Sequence, residues 1–175
     1  MQNIKTFLLV PIVTAVLTCF FSGCLSEDKS KRADPPATTS DTLANGNKIT
    51  IDYSRPSLKG RTIGEDVARF DTVWQTGENE ATTFEMTKDA KIEGKALKAG
   101  KYSLYTIPGK KSWTFIFNKK WDQWGVEYNQ ADDVLRVQAT PEQSPDFIER
   151  MKFTIERDNR VLLFWGETVV GFRVE

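Results

Sequence analysis

No histidine occurs anywhere in the 175 residues, and cysteine occurs only at Cys19 and Cys24. The first absence removes the commonest general base, the serine–histidine–aspartate triad and the commonest zinc ligand together. Any catalysis would have to run on carboxylates, tyrosine, lysine or serine. Neither sign of charge dominates, with 24 basic and 24 acidic side chains interspersed along the chain. Such a surface gathers neither nucleic acid nor anionic lipid by its field, and neither partner is expected. Long apolar runs are scarce too. The one of note spans Phe7 to Phe21.

That run follows Lys5 and closes on Phe21-Ser22-Gly23-Cys24. A positive start, an apolar stretch and small residues before a cleavage point make an export signal. The arrangement looks like the lipobox at which bacterial lipoproteins are cut and acylated on the new terminal cysteine. The expectation is a signal peptide over residues 1–23, a lipid-modified (palmitate-bearing) Cys24, and attachment to the outer membrane at its periplasmic face or at the cell surface. An uncleaved anchor is the alternative, since the run approaches the roughly 18 apolar residues a spanning helix requires. Cleavage would remove Lys5 and Cys19, leaving a near-neutral chain with no thiol for a disulfide. The acidic pair Glu27-Asp28 resembles the export tags of some surface-exposed lipoproteins.

Residues 24–47 are rich in Ser, Thr, Asp, Lys and Ala and include Pro35-Pro36. With little to pack, they are expected to form a flexible tether, whose ends as a random coil would average on the order of 27 Å apart and hold the domain off the lipid headgroups. Residues 48–175 are expected to form one domain. Their apolar residues recur with period two: Ile49, Ile51, Tyr53; Trp113, Phe115, Phe117; Leu135, Val137, Ala139; Met151, Phe153, Ile155; Val161, Leu163, Trp165; Val170, Phe172, Val174. This is the signature of half-buried strands. Turn signals at Glu93-Gly94, Ala99-Gly100, Pro108-Gly109, Asp158-Asn159 and Gly166 suit antiparallel hairpins. An all-β sandwich of about eight antiparallel strands follows, with one short helical turn near Gly64 to Phe70.

Four stretches carry candidate chemistry. Ile51 to Arg61 crowds Arg55, Lys59 and Arg61 around Pro56, where Arg55 could hold a ligand carboxylate or clamp Asp52 or Glu80. Val73 to Thr83 brings Trp74, Thr76, Asn79, Glu80 and Thr82 into one polar stretch that could meet a ligand or serve its own backbone. Trp121 and Trp124 could form an aromatic platform or fold back as a plug. Asn129, Asp132 and Asp133 lack the alternating oxygen ligands and glycine of a calcium loop, so neither metal nor cofactor is expected.

In order along the chain, Tyr53-Ser54-Arg55-Pro56-Ser57, Trp74 to Thr82, the hairpin Ala99 to Pro108, and Trp124-Gly125 closely resemble phrases of the bacterial family known as domain of unknown function 2911. The resemblance covers the domain from Ile49 to Val174 and implies an exported or lipid-anchored protein, but no activity. Residues Gly64 to Val73 depart from the family's Gly-rich, Pro-containing turn. Three functions remain open. The first is a non-catalytic module that binds a saccharide or envelope protein through Arg55, Trp74, Thr76, Asn79, Glu80, Thr82 and Trp124. The second is a structural or assembly factor of the envelope. The third is a carboxylate hydrolase using Glu80 with Asp52 or Asp122, which should lie about 5 to 9.5 Å apart.

Overall fold

Wherever the period-two pattern runs, the chain pairs edge to edge in the computed structural model, which describes residues 28–175. The proposed signal segment and Cys24 lie outside the described residues. Ten strands follow one another: β1 (Pro36–Thr42), β2 (Lys48–Ser54), β3 (Thr83–Met86), β4 (Ala90–Ile92), β5 (Lys95–Leu97), β6 (Gly100–Ile107), β7 (Trp113–Asn118), β8 (Asp133–Ala139), β9 (Glu142–Ile155) and β10 (Arg160–Arg173). Six of them make an antiparallel sheet in the order β1-β2-β3-β6-β7-β8. The long hairpin β9–β10 forms a second layer, and β4–β5 is a small hairpin turning on Glu93 and Gly94, both at positive φ (48° and 75°). That geometry matches the right-handed twist of the flanking strands.

The core lies between the sheet and the long hairpin. Phe172 of β10 sits edge-on to Phe84, Phe115 and Phe117, with ring centroids 5.6, 5.0 and 5.3 Å away. At the other end Tyr53 meets Phe153 edge-on at 5.0 Å, and its hydroxyl accepts the Phe153 N–H at 3.1 Å. Each such ring, fully buried, contributes roughly 1.5–3 kcal/mol. The all-β antiparallel sandwich expected from the sequence is therefore present, with more strands than expected. Two expected strands are one: β10 runs through Gly166, where φ is 58° and the register shifts on both sides. Gly166 is a bulge that bends the strand without ending it. Around Gly64 to Phe70 the chain makes no helix; Gly64 N–H bonds Val67 O at 2.8 Å and Phe70 N–H bonds Gly64 O at 3.1 Å, closing a tight loop.

The main correction concerns the expected tether over residues 24–47, of which residues 24–27 lie outside the described residues. Residues 36–42 are a sheet strand, in register with β2 from Pro36↔Ser54 to Thr42↔Lys48. Their hydroxyls concealed this. Thr38 donates to Asp52 Oδ1 at 2.7 Å, Ser40 to Ile49 O at 2.9 Å, and Thr39 to Phe153 O at 3.1 Å, which ties the edge to the hairpin layer. A half-exposed edge strand needs few apolar residues, and Pro36 is tolerated as its first residue. Upstream, the chain is held again: Arg55 N–H bonds Pro35 O at 3.0 Å, Arg150 Nη1 bonds Ala33 O at 3.1 Å, and Asn79 Nδ2 bonds Asp34 O at 3.3 Å.

Candidate functional site

Strand β3 pairs with β6 only from Gly100 to Ser103, which leaves the edge of β6 open beyond that point. The segment before β3 fills it: Trp74 N–H bonds Thr106 O at 2.7 Å, and Thr106 N–H bonds Trp74 O at 2.9 Å. To return to β3 the chain must then turn sharply, and Thr76 and Asn79 take φ values of 54° and 62°. For a β-branched residue this conformation is an outlier costing of order 1–3 kcal/mol. Hydrogen bonds hold it in place. Thr76 Oγ1 donates to Thr106 Oγ1 at 3.1 Å, and Thr82 Oγ1 donates to Thr76 O at 2.8 Å. Between them, a side chain on Gly77 would stand 2.8 Å from Thr82 Oγ1 and 3.1 Å from Ser54 O.

The residues expected to bind a ligand together are thus dispersed. Thr76 and Thr82 are buried inside the turn. Trp74 stacks on Trp165 at 5.2 Å, 11° from parallel, and meets Trp113 edge-on at 6.4 Å. Arg55 donates its Nε–H to Met151 O at 3.1 Å. Asn79 and Glu80 hold the chain's own upstream segment: Glu80 binds Lys29 Nζ at 2.8 Å and Arg32 Nη1 at 2.8 Å. Burial pushes the Glu80 carboxyl up, but hydrogen bonds from Lys29, its own backbone and Arg32 outweigh it and hold the pKa at about 2. Trp124 is exposed, with its backbone bridged to Glu80, and it lines a shallow depression with Arg32, Ala33, Asp34 and Asn79.

Two of the three carboxylates proposed for hydrolysis are engaged as well, and the third, Asp122, is exposed. Asp52 accepts from Thr38 at 2.7 Å and from Lys101 Nζ at 3.4 Å, while Glu80 is doubly paired. Asp133 accepts from Arg136, Tyr128 and Asn118, Asp132 pairs with Lys119 at 3.1 Å, and Asn129 caps the 3-10 turn Gln130–Asp132.

A different set of groups converges beside the turn. Arg61, Asp66, Trp74, Gln75, Glu78, Tyr105 and Tyr128 line a cavity of about 600 Å³, with Val73 and Val126 also on its wall. That volume suits a small organic ligand. Gln75 Nε2 donates to Glu78 Oε2 at 3.0 Å, and the Gln75 carbonyl oxygen, against Gly125, is buried with no hydrogen-bond donor among the described residues. Burial first, and then the charge of Asp34, push the Glu78 carboxyl above its ordinary value, while Arg61 and the Gln75 hydrogen bond pull it back in part. Tyr105 and Tyr128 meet edge-on at 4.9 Å. Tyr105 OH accepts from Gln123 at 2.9 Å, and Tyr128 OH donates to Asp133 at 2.7 Å and accepts from Arg136 at 2.8 Å. Burial raises both phenols, Tyr128 to about 12 with help from Asp133, so both hydroxyls stay protonated and neutral.

A family model described as a protein of unknown function (DUF2911) matches residues 34–174. The chain belongs to the DUF2911 family. Neither a curated protein nor a solved structure matches it. The matched span opens at Asp34, just ahead of β1, and so includes the edge strand. The phrases that resemble the family meet in space. Gly77 of the second lies against Ser54 of the first, Trp74 pairs with Thr106 of the hairpin, Gly125 N–H bonds Asn79 O at 2.9 Å, and a Cβ on Gly125 would stand 2.9 Å from that of Gln75. The second, third and fourth phrases therefore supply Trp74, Gln75, Glu78, Tyr105 and Gly125 to the cavity wall, and the first is packed behind the second. Sequence reasoning missed Gln75, Glu78, Tyr105 and Tyr128 as a group. The signal at hand was the adjacency of Leu104 and Tyr105, which puts large side chains on both faces of β6; in the structure both are buried, because loops cover the second face of the sheet.

Proposed function

We propose that this DUF2911 domain is a non-catalytic binding module of a lipid-anchored envelope protein, and that its cavity takes a small, neutral, hydroxyl-rich molecule of the saccharide class. The observation carrying this reading is the convergence of Arg61, Asp66, Gln75, Glu78, Tyr105 and Tyr128 around one 600 Å³ cavity. Mixed donors and acceptors beside aromatic rings suit sugar hydroxyls and the apolar faces of a pyranose. Opposite charges among Arg61, Asp66 and Glu78 disfavour a strongly charged ligand. Both phenols are held neutral and engaged, which suits binding groups better than bases.

The test is a saccharide array probed with the wild-type protein, Asp66→Asn and Glu78→Gln. A sugar bound by the wild type and at least about tenfold more weakly by both variants supports the reading. An array without a binder, or one on which the variants bind equally well, removes it. Anchoring is tested separately: Cys24→Ala should leave an unlipidated precursor.

A second reading has one observation in its favour. Glu78, raised by burial, shares the cavity with a second carboxyl, Asp66, and glycoside hydrolysis uses a pair of carboxyl groups. Release of a reducing end from any glycan on the array, abolished by Glu78→Gln, would select a hydrolase over a binder.

A further inference from the structure

Three large apolar side chains lie exposed in the loop between β7 and β8: Trp121 (43 %), Trp124 (50 %) and Val126 (81 %). Lys119 and Lys120 precede them, also exposed, and Lys101 Nζ lies 5.2 Å over the Trp121 ring. Exposed tryptophan beside lysine is the composition of side chains that settle at a membrane–water boundary, where the indole body is apolar and its N–H is wet. The loop's position relative to the start of the domain gives this weight. Trp124 shares a depression with Arg32, Ala33 and Asp34, and its backbone pairs with Glu80, the residue that grips Lys29 and Arg32. The upstream segment is thus fixed beside Trp124. From Cys24 to Asp28 is four residues, a reach of at most about 14 Å.

We infer that residues 119–126 form a membrane-interface contact, pressed onto phospholipid headgroups by an anchor at Cys24. The inference rests on the lipid-anchored reading above and goes beyond it, because an anchor alone leaves the domain's orientation undetermined. It replaces the picture of a domain held off the headgroups by a long tether. The loop's Asp122 and Glu127 offset Lys119 and Lys120, and Lys119 is also paired with Asp132. The contact is therefore interfacial and apolar, without dependence on anionic lipid. Val126 lies both in this loop and on the cavity wall, so docking sets the cavity's rim beside the bilayer.

The test uses the full lipidated protein in phosphatidylcholine vesicles whose acyl chains carry bromines just below the headgroups, which quench nearby tryptophans. Two of the five tryptophans are in the loop, so emission should fall by about two fifths relative to unbrominated vesicles, equally at low and high salt. Trp121→Phe/Trp124→Phe should abolish the quenching, which assigns it to the loop. Val126→Asp keeps both reporters and should cut it at least twofold. Mass spectrometry of the same sample reads the acyl chains on Cys24. Acylated protein whose quenching is no greater than that of the double variant overturns the inference and leaves the anchor standing. Protein without acyl chains that stays off the vesicles removes the anchor and the inference with it.

Discussion

A single guanidinium nitrogen of Arg32 bonds both carboxylate oxygens of Glu80, at 3.0 and 2.8 Å, across 48 positions of sequence. Lys29 adds a third contact at 2.8 Å. The pair closes the upstream segment over the turn that precedes β3. It converts a carboxylate that the sequence offers to a ligand into a clasp for the chain's own backbone.

The clasp makes stability depend on acid. The Glu80 carboxyl titrates near 4.5 unfolded and near 2 folded, so its contribution is complete above pH 4.5 and is lost as pH falls towards 2. The carboxylate keeps 39 % of its side chain exposed, and solvent screening limits that contribution to about 1 kcal/mol. Glu80→Gln should lower the unfolding free energy by about that amount at pH 7. Denaturant titrations of the two proteins should converge as pH drops from 4.5 to 2. A deficit that persists unchanged below pH 2 would assign the loss to packing instead.

Strand β1 predicts where the chain can be shortened. A protein beginning at Asp28 retains every contact of the edge strand, whereas one beginning at Lys48 loses the β1–β2 ladder and the Thr39–Phe153 link. Net hydrogen bonds are worth about 1 kcal/mol each, so the shorter protein should be less stable by more than about 3 kcal/mol. Its bare β2 edge should also favour association. Thermal unfolding and light scattering of the two proteins check both effects, and equal behaviour would return these residues to tether status.

The strands were legible because their apolar residues alternate, and burial of one sheet face imposes that alternation regardless of partner. Ile49, Ile51, Phe115, Phe117 and Val137 fall where the period places them. Edge strand β1 was illegible for the converse reason: an edge facing water can be built from Thr, Ser and Ala. At the site, Trp74 and Glu80 were prominent by residue type, yet one is stacked against the core and the other is salt-bridged. Tyr128, Glu78 and Arg61 come together only because loops fold over the second sheet face, and no local spacing encodes that.

Gly125 is the position where the cavity wall tolerates least. An added Cβ would stand 2.8 Å from Gln75 Cδ and 2.9 Å from Gln75 Cβ, and would overlap Gln75 Oε1. The near end of the side chain is involved, so a change of rotamer alone does not relieve the contact. Gly125→Ala should cost about 1–3 kcal/mol and displace Gln75 from Glu78. A crystal structure of the variant, with its denaturation midpoint, checks this; an unmoved Gln75 would refute it.

Glu78 should show opposite effects on stability and on binding. Its carboxyl is raised in the fold by burial and by Asp34, so between the ordinary value near 4.5 and the folded value the native state holds more protons than the unfolded chain. Native stability therefore falls as pH rises through that window, and the penalty is complete above it. Glu78→Gln removes the ionisation while its amide oxygen still accepts from Gln75 Nε2. The variant should be more stable than wild type at pH 7 and equal to it below about pH 4. Ionised Glu78 is a charged hydrogen-bond acceptor on the cavity wall, and in the proposed complex it would accept from a sugar hydroxyl. Charged acceptors are worth roughly 1.5–3 kcal/mol, so the same substitution should weaken the ligand by at least about tenfold. Melting curves across pH and titration calorimetry on one protein read both effects. Higher stability with weaker binding would place Glu78 among residues kept for a ligand at the expense of the fold. Lower stability at neutral pH would make it a structural residue and move the ligand elsewhere.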